Sequence, residues 1–361
     1  MNKKVVIHII RSVKKTSMPW NDLYATSRKL YPGISYYPIC ISKLLKSPEI
    51  VMTNCQSSKR KFIDSGLFNV FYLFFNLSLR LKNRNLIWHI HNPSLSLLGP
   101  FIRIFFRNSR IIFNLHNKYQ GFNYYQKYIL KYSLPFFHKV IGVSKYIIKN
   151  SPNYDHTNKY KFIRNGIYSK YLNKKYPINS ISSINRENTI VVVARLVKQK
   201  NLEFLLKVFA NLKYSGKIFI YGSGVLENKL KEISEELKIR NQVNFMGIVK
   251  REIILRKMSE SSIYISTSLW EGIGVANLEA AAQGCYPFLS NIGPHNEIAN
   301  LIGLNTYNLD SVEEWSLAID KWIKENDEYK TNKIKKISTA TRQIFDIDNS
   351  VKKYFEEYSD I

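Results

Sequence analysis

Trp270-Glu-Gly-Ile-Gly-Val-Ala-Asn-Leu-Glu-Ala-Ala-Ala-Gln-Gly-Cys-Tyr-Pro-Phe-Leu-Ser-Asn-Ile-Gly-Pro-His-Asn-Glu-Ile298 is the stretch on which the reading of this chain turns. It follows an apolar run from Ile263 that reads as a buried strand. Gly272 and Gly274 allow a sharp turn and a close backbone approach to a ligand. Helix formers then take over from Val275 to Ala282, and Gly284 stands where a helix stops. A strand, a glycine turn and a helix start leave the amides of Gly274, Val275 and Ala276 pointing at one spot. Free donors and the helix dipole make that spot attractive to an anion such as a phosphate.

Glu271 precedes the turn and Glu279 lies a little over one helical turn inside it. Carboxylates beside a phosphate site suit sugar hydroxyls rather than the phosphate, so the pair fits a nucleotide sugar with a hydroxylated ring on each side of its diphosphate. Taken alone, the residues leave open that Glu279 only complements the helix and that Glu271 ends a strand. The signature as a whole is more specific. Two glutamates eight positions apart around Gly-x-Gly, then Ala-x-Gly, Pro and a distal Gly-Pro-x-x-Glu, resemble the donor site of family 4 retaining glycosyltransferases. That resemblance implies the α/β GT-B fold, with two Rossmann-like domains, a cleft between them and a C-terminal helix crossing back to the first.

The rest of the second half continues the resemblance. Asn188 to Arg195 reads as a strand ending in Arg195, with Lys200 in the loop beyond. Their spacing is similar to the family's diphosphate clamp, although Ala194 and Asn201 replace the usual glycines. Lys217 to Gly224 gives a strand with a Gly-x-Gly turn at Gly222, and Val243 to Val249 carries the turn near Ile248 where the family seats the nucleotide base. The order of clamp, glycine turn, base turn and double-glutamate stretch carries the argument better than any one of them. The resemblance implies donor contacts from Arg195, Lys200, Gly222, Ile248, Gly274, Val275, Ala276 and Glu279. It assigns the sugar to Glu271 and His116, and it needs neither a metal nor another cofactor.

In the first half, branched apolar runs recur at Val5–Ile10, Tyr36–Ile41, Ile50–Thr53, Leu86–His91, Arg110–Leu115 and Val140–Val143, separated by helix-like segments. This alternation predicts a parallel sheet, with ligands beyond the carboxyl ends of its strands. His89, His91 and His116 fall at two such ends. The family carries a sugar-binding histidine at the position of His116; His89 reads as satisfying loop backbone groups, and His91 is a candidate on the acceptor side. No cysteine or carboxylate stands at zinc-ligand spacing from these histidines. The first loop, Arg11 to Trp20, lacks the family's glycine pair and offers Lys14 and Lys15 to an anionic acceptor instead.

With 361 residues and 45% hydrophobic content the chain has material for two cores. The expected division is 1–168, a linker at 169–187, 188–340, and a crossover helix at 341–361. Asp346 and Asp348 read as a turn before that helix. Cys40, Cys55 and Cys285 are too few and too scattered for a disulfide framework. The basic N-terminus reads as a first strand rather than a signal peptide, and no apolar run reaches the ~20 residues of a membrane span.

The net charge of +27 is lopsided: residues 1–180 hold 30 Lys and Arg against 4 Asp and Glu, whereas 181–361 hold 24 against 23. Aromatic residues interleave with the cations over Leu67–Lys82, Leu97–Arg110 and Tyr119–Lys139, which suits the surface of an anionic membrane. The apolar sides of these helices could equally pack on the sheet. With this charge distribution, the resemblance implies a nucleotide-sugar donor, a lipid-linked saccharide acceptor and bacterial capsule, O-antigen or exopolysaccharide synthesis, on the cytoplasmic face of the plasma membrane. Nucleic acid is not the expected partner. The alternatives are a basic nucleic-acid- or membrane-binding module without transferase activity, and a GT-B epimerase or phosphorylase.

Overall fold

The computed structural model describes residues 5–10, 26–40, 85–182, 186–213 and 216–360. Lys14 and Lys15, the expected strand at Ile50–Thr53 and the aromatic segment Leu67–Lys82 lie outside the described residues. The chain forms two units, one of residues 1–164 with 350–361 and the other of 165–349.

Among the described residues the first unit holds six parallel strands: β1 (Val5–Ile10), β2 (Ser35–Cys40), β3 (Leu86–Ile90), β4 (Arg110–Leu115), β5 (Lys139–Gly142) and β6 (Tyr160–Phe162). Their order is β2-β1-β3-β4-β5-β6. All of β3 is buried, as are Ile111 to Leu115 of β4, which is what continuous branched runs produce when helices cover both faces. The strand order reverses between β1 and β3, and in open parallel sheets ligands bind beyond the carboxyl ends at such a reversal. The C-terminal residues complete this unit. The Tyr354 hydroxyl accepts a bond from Asn114 at 2.7 Å, Phe355 stacks on Tyr31 at 3.8 Å, and Glu357 meets Lys139 at 3.1 Å.

The second unit repeats the architecture with β7 (Glu187–Val193), β8 (Lys217–Tyr221), β9 (Val243–Gly247), β10 (Ser261–Ser266), β11 (Tyr286–Ser290) and β12 (Thr306–Tyr307). Their order is β12-β11-β10-β7-β8-β9, all parallel, and the reversal lies between β7 and β10.

Residues 169–187, expected as a linker, belong to the second unit instead. Ser169–Lys175 is a helix that buries Ser169 and Leu172. Ser169 Oγ donates to the Arg342 carbonyl at 2.8 Å, and Ile181 is buried. Only a few apolar residues of this segment enter the core, so its sequence lacks the periodicity that announces a helix. At the other end, one helix runs Asp327–Ile344 and a last one Ile347–Ser359. Asp346 accepts from the Asp348 amide at 2.8 Å at the start of that last helix, and Asp348 pairs with Lys170.

Candidate functional site

In the second unit, the loops after β7 and β10 meet at the strand reversal. Gln199 Nε2 donates to the Trp270 carbonyl at 2.7 Å, the Leu269 amide to the Gln199 carbonyl at 2.9 Å, and Thr267 Oγ1 to the Lys200 and Asn201 carbonyls. These bonds hold the two loops as one piece. They bring Lys200 Nζ onto Glu271 Oε1, which also accepts from Ser268 Oγ at 2.8 Å. Burial alone would raise the Glu271 carboxyl, but Lys200, the neighbouring His295 and the hydrogen bonds from Lys200 and Ser268 outweigh it and hold the group below its ordinary value. Glu271 is therefore an anion at neutral pH although it is buried. Arg195 is exposed and donates to Gln199 Oε1 at 3.1 Å.

Gly274 has φ of +72° and caps the helix Val275–Ala282. A Cβ there would strike the side chain of Asn277, whose own amide bonds back to the Gly274 carbonyl at 2.9 Å. The amides of Val275 and Ala276 open the helix and have no intrahelical acceptor by geometry. Glu279 is buried one turn further in, where Arg251 Nε donates to Oε1 at 2.7 Å and its Nη2 forms an ion pair with the same oxygen. Gly222, with φ of +135°, lies so close to the Ala194 carbonyl that no Cβ fits. Ile248 follows β9 and is 69% exposed.

Behind this end of the sheet runs a polar chain that the sequence reading did not name. The Tyr264 hydroxyl donates to Asn277 Oδ1 at 3.0 Å, and Asn277 Nδ2 lies 2.9 Å from His295 Nε2. His295 Nδ1 faces the Ser290 carbonyl at 3.1 Å, and Ser290 Oγ donates to the Ser268 carbonyl at 2.7 Å. Burial pushes His295 down to about 4, against the pull of Glu271, so the ring is neutral. Its proton is then assigned to Nδ1, because Asn277 Nδ2 can only donate. Arg251 was not singled out either, and only the fold shows that it faces Glu279. His295 stands inside the Gly-Pro-x-x-Glu motif, which was the one available signal.

In the first unit the structure gathers more histidines than the two strand ends suggested. His8 Nδ1 lies 2.9 Å from His91 Nε2, and His91 Nδ1 lies 3.2 Å from His116 Nε2. Contrary to the expectation that it satisfies loop backbone, His89 is fully buried inside β3, with Nδ1 2.8 Å from the Tyr358 hydroxyl. A histidine within the strand points into the covered face of the sheet, where the C-terminal helix supplies its partner. Burial lowers His8 and His116 to about 4, and it lowers His89 and His91 well below the usual range with help from the neighbouring histidines. All four are neutral imidazoles at pH 7.

The basic segments of this unit present apolar groups to solvent instead of burying them all. Helix Leu98–Phe105 buries Gly99 and Ile102 but exposes Phe101, Ile104 and Phe105. Helix Tyr124–Ser133 exposes Tyr124, Tyr125, Tyr128 and Tyr132. At the amino ends of β4 and β5, Arg103, Arg107, Asn108, Arg110 and His138 line an open cavity of about 570 Å³. Burial lowers His138 to about 4, helped by Arg103, Arg110 and Lys159. No described helix is long and apolar enough to cross a membrane.

Comparison with known proteins follows the same division. An uncharacterized glycosyltransferase of Methanocaldococcus jannaschii is 30% identical over 175 residues, 44% of either chain. The capsular polysaccharide biosynthesis glycosyltransferase CapH of Staphylococcus aureus is 26% identical over 207 residues, 55% of this chain and 54% of that one. The chain thus spans about half the length of these curated relatives. The crystal structure of Anabaena HepE in complex with UDP and glucose superimposes with a TM-score of 0.73, covering 99% of this chain and 100% of that one at 14% identity. The chain therefore has the GT-B fold of two Rossmann-like units. Its residues 177–343, most of the second unit, match the model of the family described as Glycosyl transferases group 1.

Proposed function

We propose that this chain is a retaining, metal-independent glycosyltransferase of family 4 that moves a sugar from a nucleoside diphosphate sugar to an acceptor hydroxyl. The observation that carries this reading is the joined pair of loops at the β7/β10 reversal. There a buried anion (Glu271), two cations (Lys200 and Arg195) and the helix start at Gly274 stand on one hydrogen-bonded frame. Lys200, Arg195 and the amides of Val275 and Ala276 stabilise the charge that grows on the departing diphosphate. Glu279 accepts from the ribose, with Arg251 holding its carboxylate. Gly222 lets the backbone approach the donor, and Ile248 lies against the base. Glu271 and His116 grip the transferred sugar. The acceptor oxygen bonds to the anomeric carbon on the face from which the diphosphate departs, and its proton goes to the departing phosphate oxygen. His116 does not serve as the base in this scheme, because burial holds it at about 4; a neutral imidazole suits a hydrogen bond to a sugar hydroxyl.

The first unit receives the acceptor, with His91 and the lysines Lys14 and Lys15 on that side. Its exposed Phe101, Ile104 and Phe105 beside the Arg103–Arg110 cavity support a place on an anionic membrane surface. A lipid-linked saccharide in surface-polysaccharide synthesis, at the inner face of a bacterial plasma membrane, suits that chemistry. UDP is the first nucleotide to try, since it occupies the HepE structure.

The test is thermal stabilisation by UDP, GDP, ADP and CMP, measured on the wild type and on Glu279→Gln. A ligand at 100 times its Kd adds about 2.7 kcal/mol. One nucleoside diphosphate should raise the melting point, and the variant should lose most of the shift. Absence of a shift with every nucleotide would remove the donor site. Donor consumption without any hydroxyl acceptor would favour an epimerase instead.

A further inference from the structure

The proposed transfer uses His116, with His91 on the acceptor side, but gives no role to His8 and His89, and these two form a second arrangement with His91. His8 on β1 is in register with His89 on β3, and His91 follows β3 directly. One ring nitrogen from each of the three lies within 4.8 Å of the other two. His89 Nδ1 is committed to the Tyr358 hydroxyl, which leaves Nε2 as the inner nitrogen. That atom is buried and has no hydrogen-bond partner among the described residues. In the tautomer whose Nδ1–H donates to that hydroxyl, Nε2 carries an unsatisfied lone pair, and a metal ion is a partner for it.

We propose that His8, His89 and His91 form a binding site for one divalent transition-metal ion of the zinc type, one hydrogen bond behind His116. Three imidazole nitrogens are a donor set for zinc, cobalt or nickel. Magnesium and calcium require oxygen ligands, and the cluster contains no carboxylate. Tyr358 on His89 and His116 on His91 hold the outer nitrogens of two ligands, the arrangement that fixes ring orientation in metal sites. A tetrahedral ion with Zn–N of about 2.0–2.1 Å sets its nitrogens about 3.3 Å apart. A gap at the 4.8 Å limit needs to close by about 1.5 Å, which ring rotation supplies. The three neutral ligands leave the ion its full charge, so its fourth position takes water, hydroxide or an anionic oxygen. The bound ion ties β1 to β3 and, through His91, fixes the ring of His116.

The experiment is a cobalt titration of the full chain, free of any histidine tag and stripped with a chelator. One equivalent of Co²⁺ should give the intense visible absorption of a tetrahedral nitrogen site, and Zn²⁺ should displace it. His91→Ala should weaken binding by more than about tenfold, and Tyr358→Phe by about tenfold. No uptake by micromolar protein, or an unchanged cobalt spectrum and affinity in His91→Ala, would overturn the site. If His91→Ala fails to fold by circular dichroism, the wild-type stoichiometry and spectrum still decide. None of these readouts depends on transferase activity, so they can fail while the donor-site reading stands.

Discussion

The two strand reversals of this chain solve the same topological problem with opposite electrostatics. At β7/β10 the second unit buries full charges and pairs each one: Lys200 with Glu271, Arg251 with Glu279. At β1/β3 the first unit, whose sequence carries most of the net charge, collects imidazoles and keeps them neutral by burial. Ionic groups held in place stabilise the charge that develops on a leaving phosphate. Neutral rings offer lone pairs and N–H groups without competing for that phosphate. One end is thus built for charge and the other for hydrogen bonding or coordination.

Removing the buried anion should break the second unit's side of this contrast most sharply. Glu271→Gln keeps the shape but leaves Lys200 without its counter-charge, and turnover should fall by about 10²–10³. Steady-state kinetics with the stabilising nucleotide's sugar would check this, and a rate within threefold of wild type would sink the role. Gly222→Ala forces a Cβ against the Ala194 carbonyl at a φ that L-residues rarely adopt. It should cost the second unit about 2–4 kcal/mol, read as a lower urea midpoint for that unit and little change in the first.

The contrast also has a pH signature. A histidine lowered from 6.5 to about 4 on folding contributes stability that is complete above its unfolded value. That contribution is lost as pH falls through the window from 6.5 to 4, because the unfolded chain takes up the proton first. His8 and His116 should each lose on the order of 1 kcal/mol by pH 5.5, and His89 and His91 act in the same direction. The second unit has His295 in this class. Urea midpoints measured from pH 7.5 to 5 should therefore drop earlier and further for the first unit; equal drops would erase the distinction. The smallest effect concerns the surface. Arg107→Ala should weaken binding to anionic vesicles by about 1 kcal/mol, and Phe105→Ser should reduce it at high salt, where the apolar contribution remains. Co-sedimentation with vesicles at two salt concentrations separates the two.

What could be read from the sequence was what the backbone announces locally. Apolar runs gave the strands, Gly274 and Gly284 bounded the helix that holds Glu279, and Arg195, Lys200 and Glu271 stood where turns place side chains beyond strand ends. What escaped depends on partners far apart in the chain. Arg251 reaches Glu279 across 28 positions, and His8 meets His91 across 83. His89 was misassigned because its partner, Tyr358, lies 269 residues away. The helix at Ser169–Lys175 was hidden by a composition of Asn, Lys and Tyr with one strongly buried Leu172.

The return of residues 350–361 to the first unit has a consequence for synthesis. The partners of Asn114, Tyr31, Lys139 and His89 all emerge after residues 165–349 have been made. At 5–20 residues per second that interval is about 10–40 s. During it the first unit lacks the wall that residues 350–361 supply, and His89, Asn114 and Tyr31 lack the partners they have in the finished structure. The second unit, continuous in sequence, can finish first although it is translated later. A circular permutant that moves the last helix next to residue 164 would let the first unit close as soon as it is made.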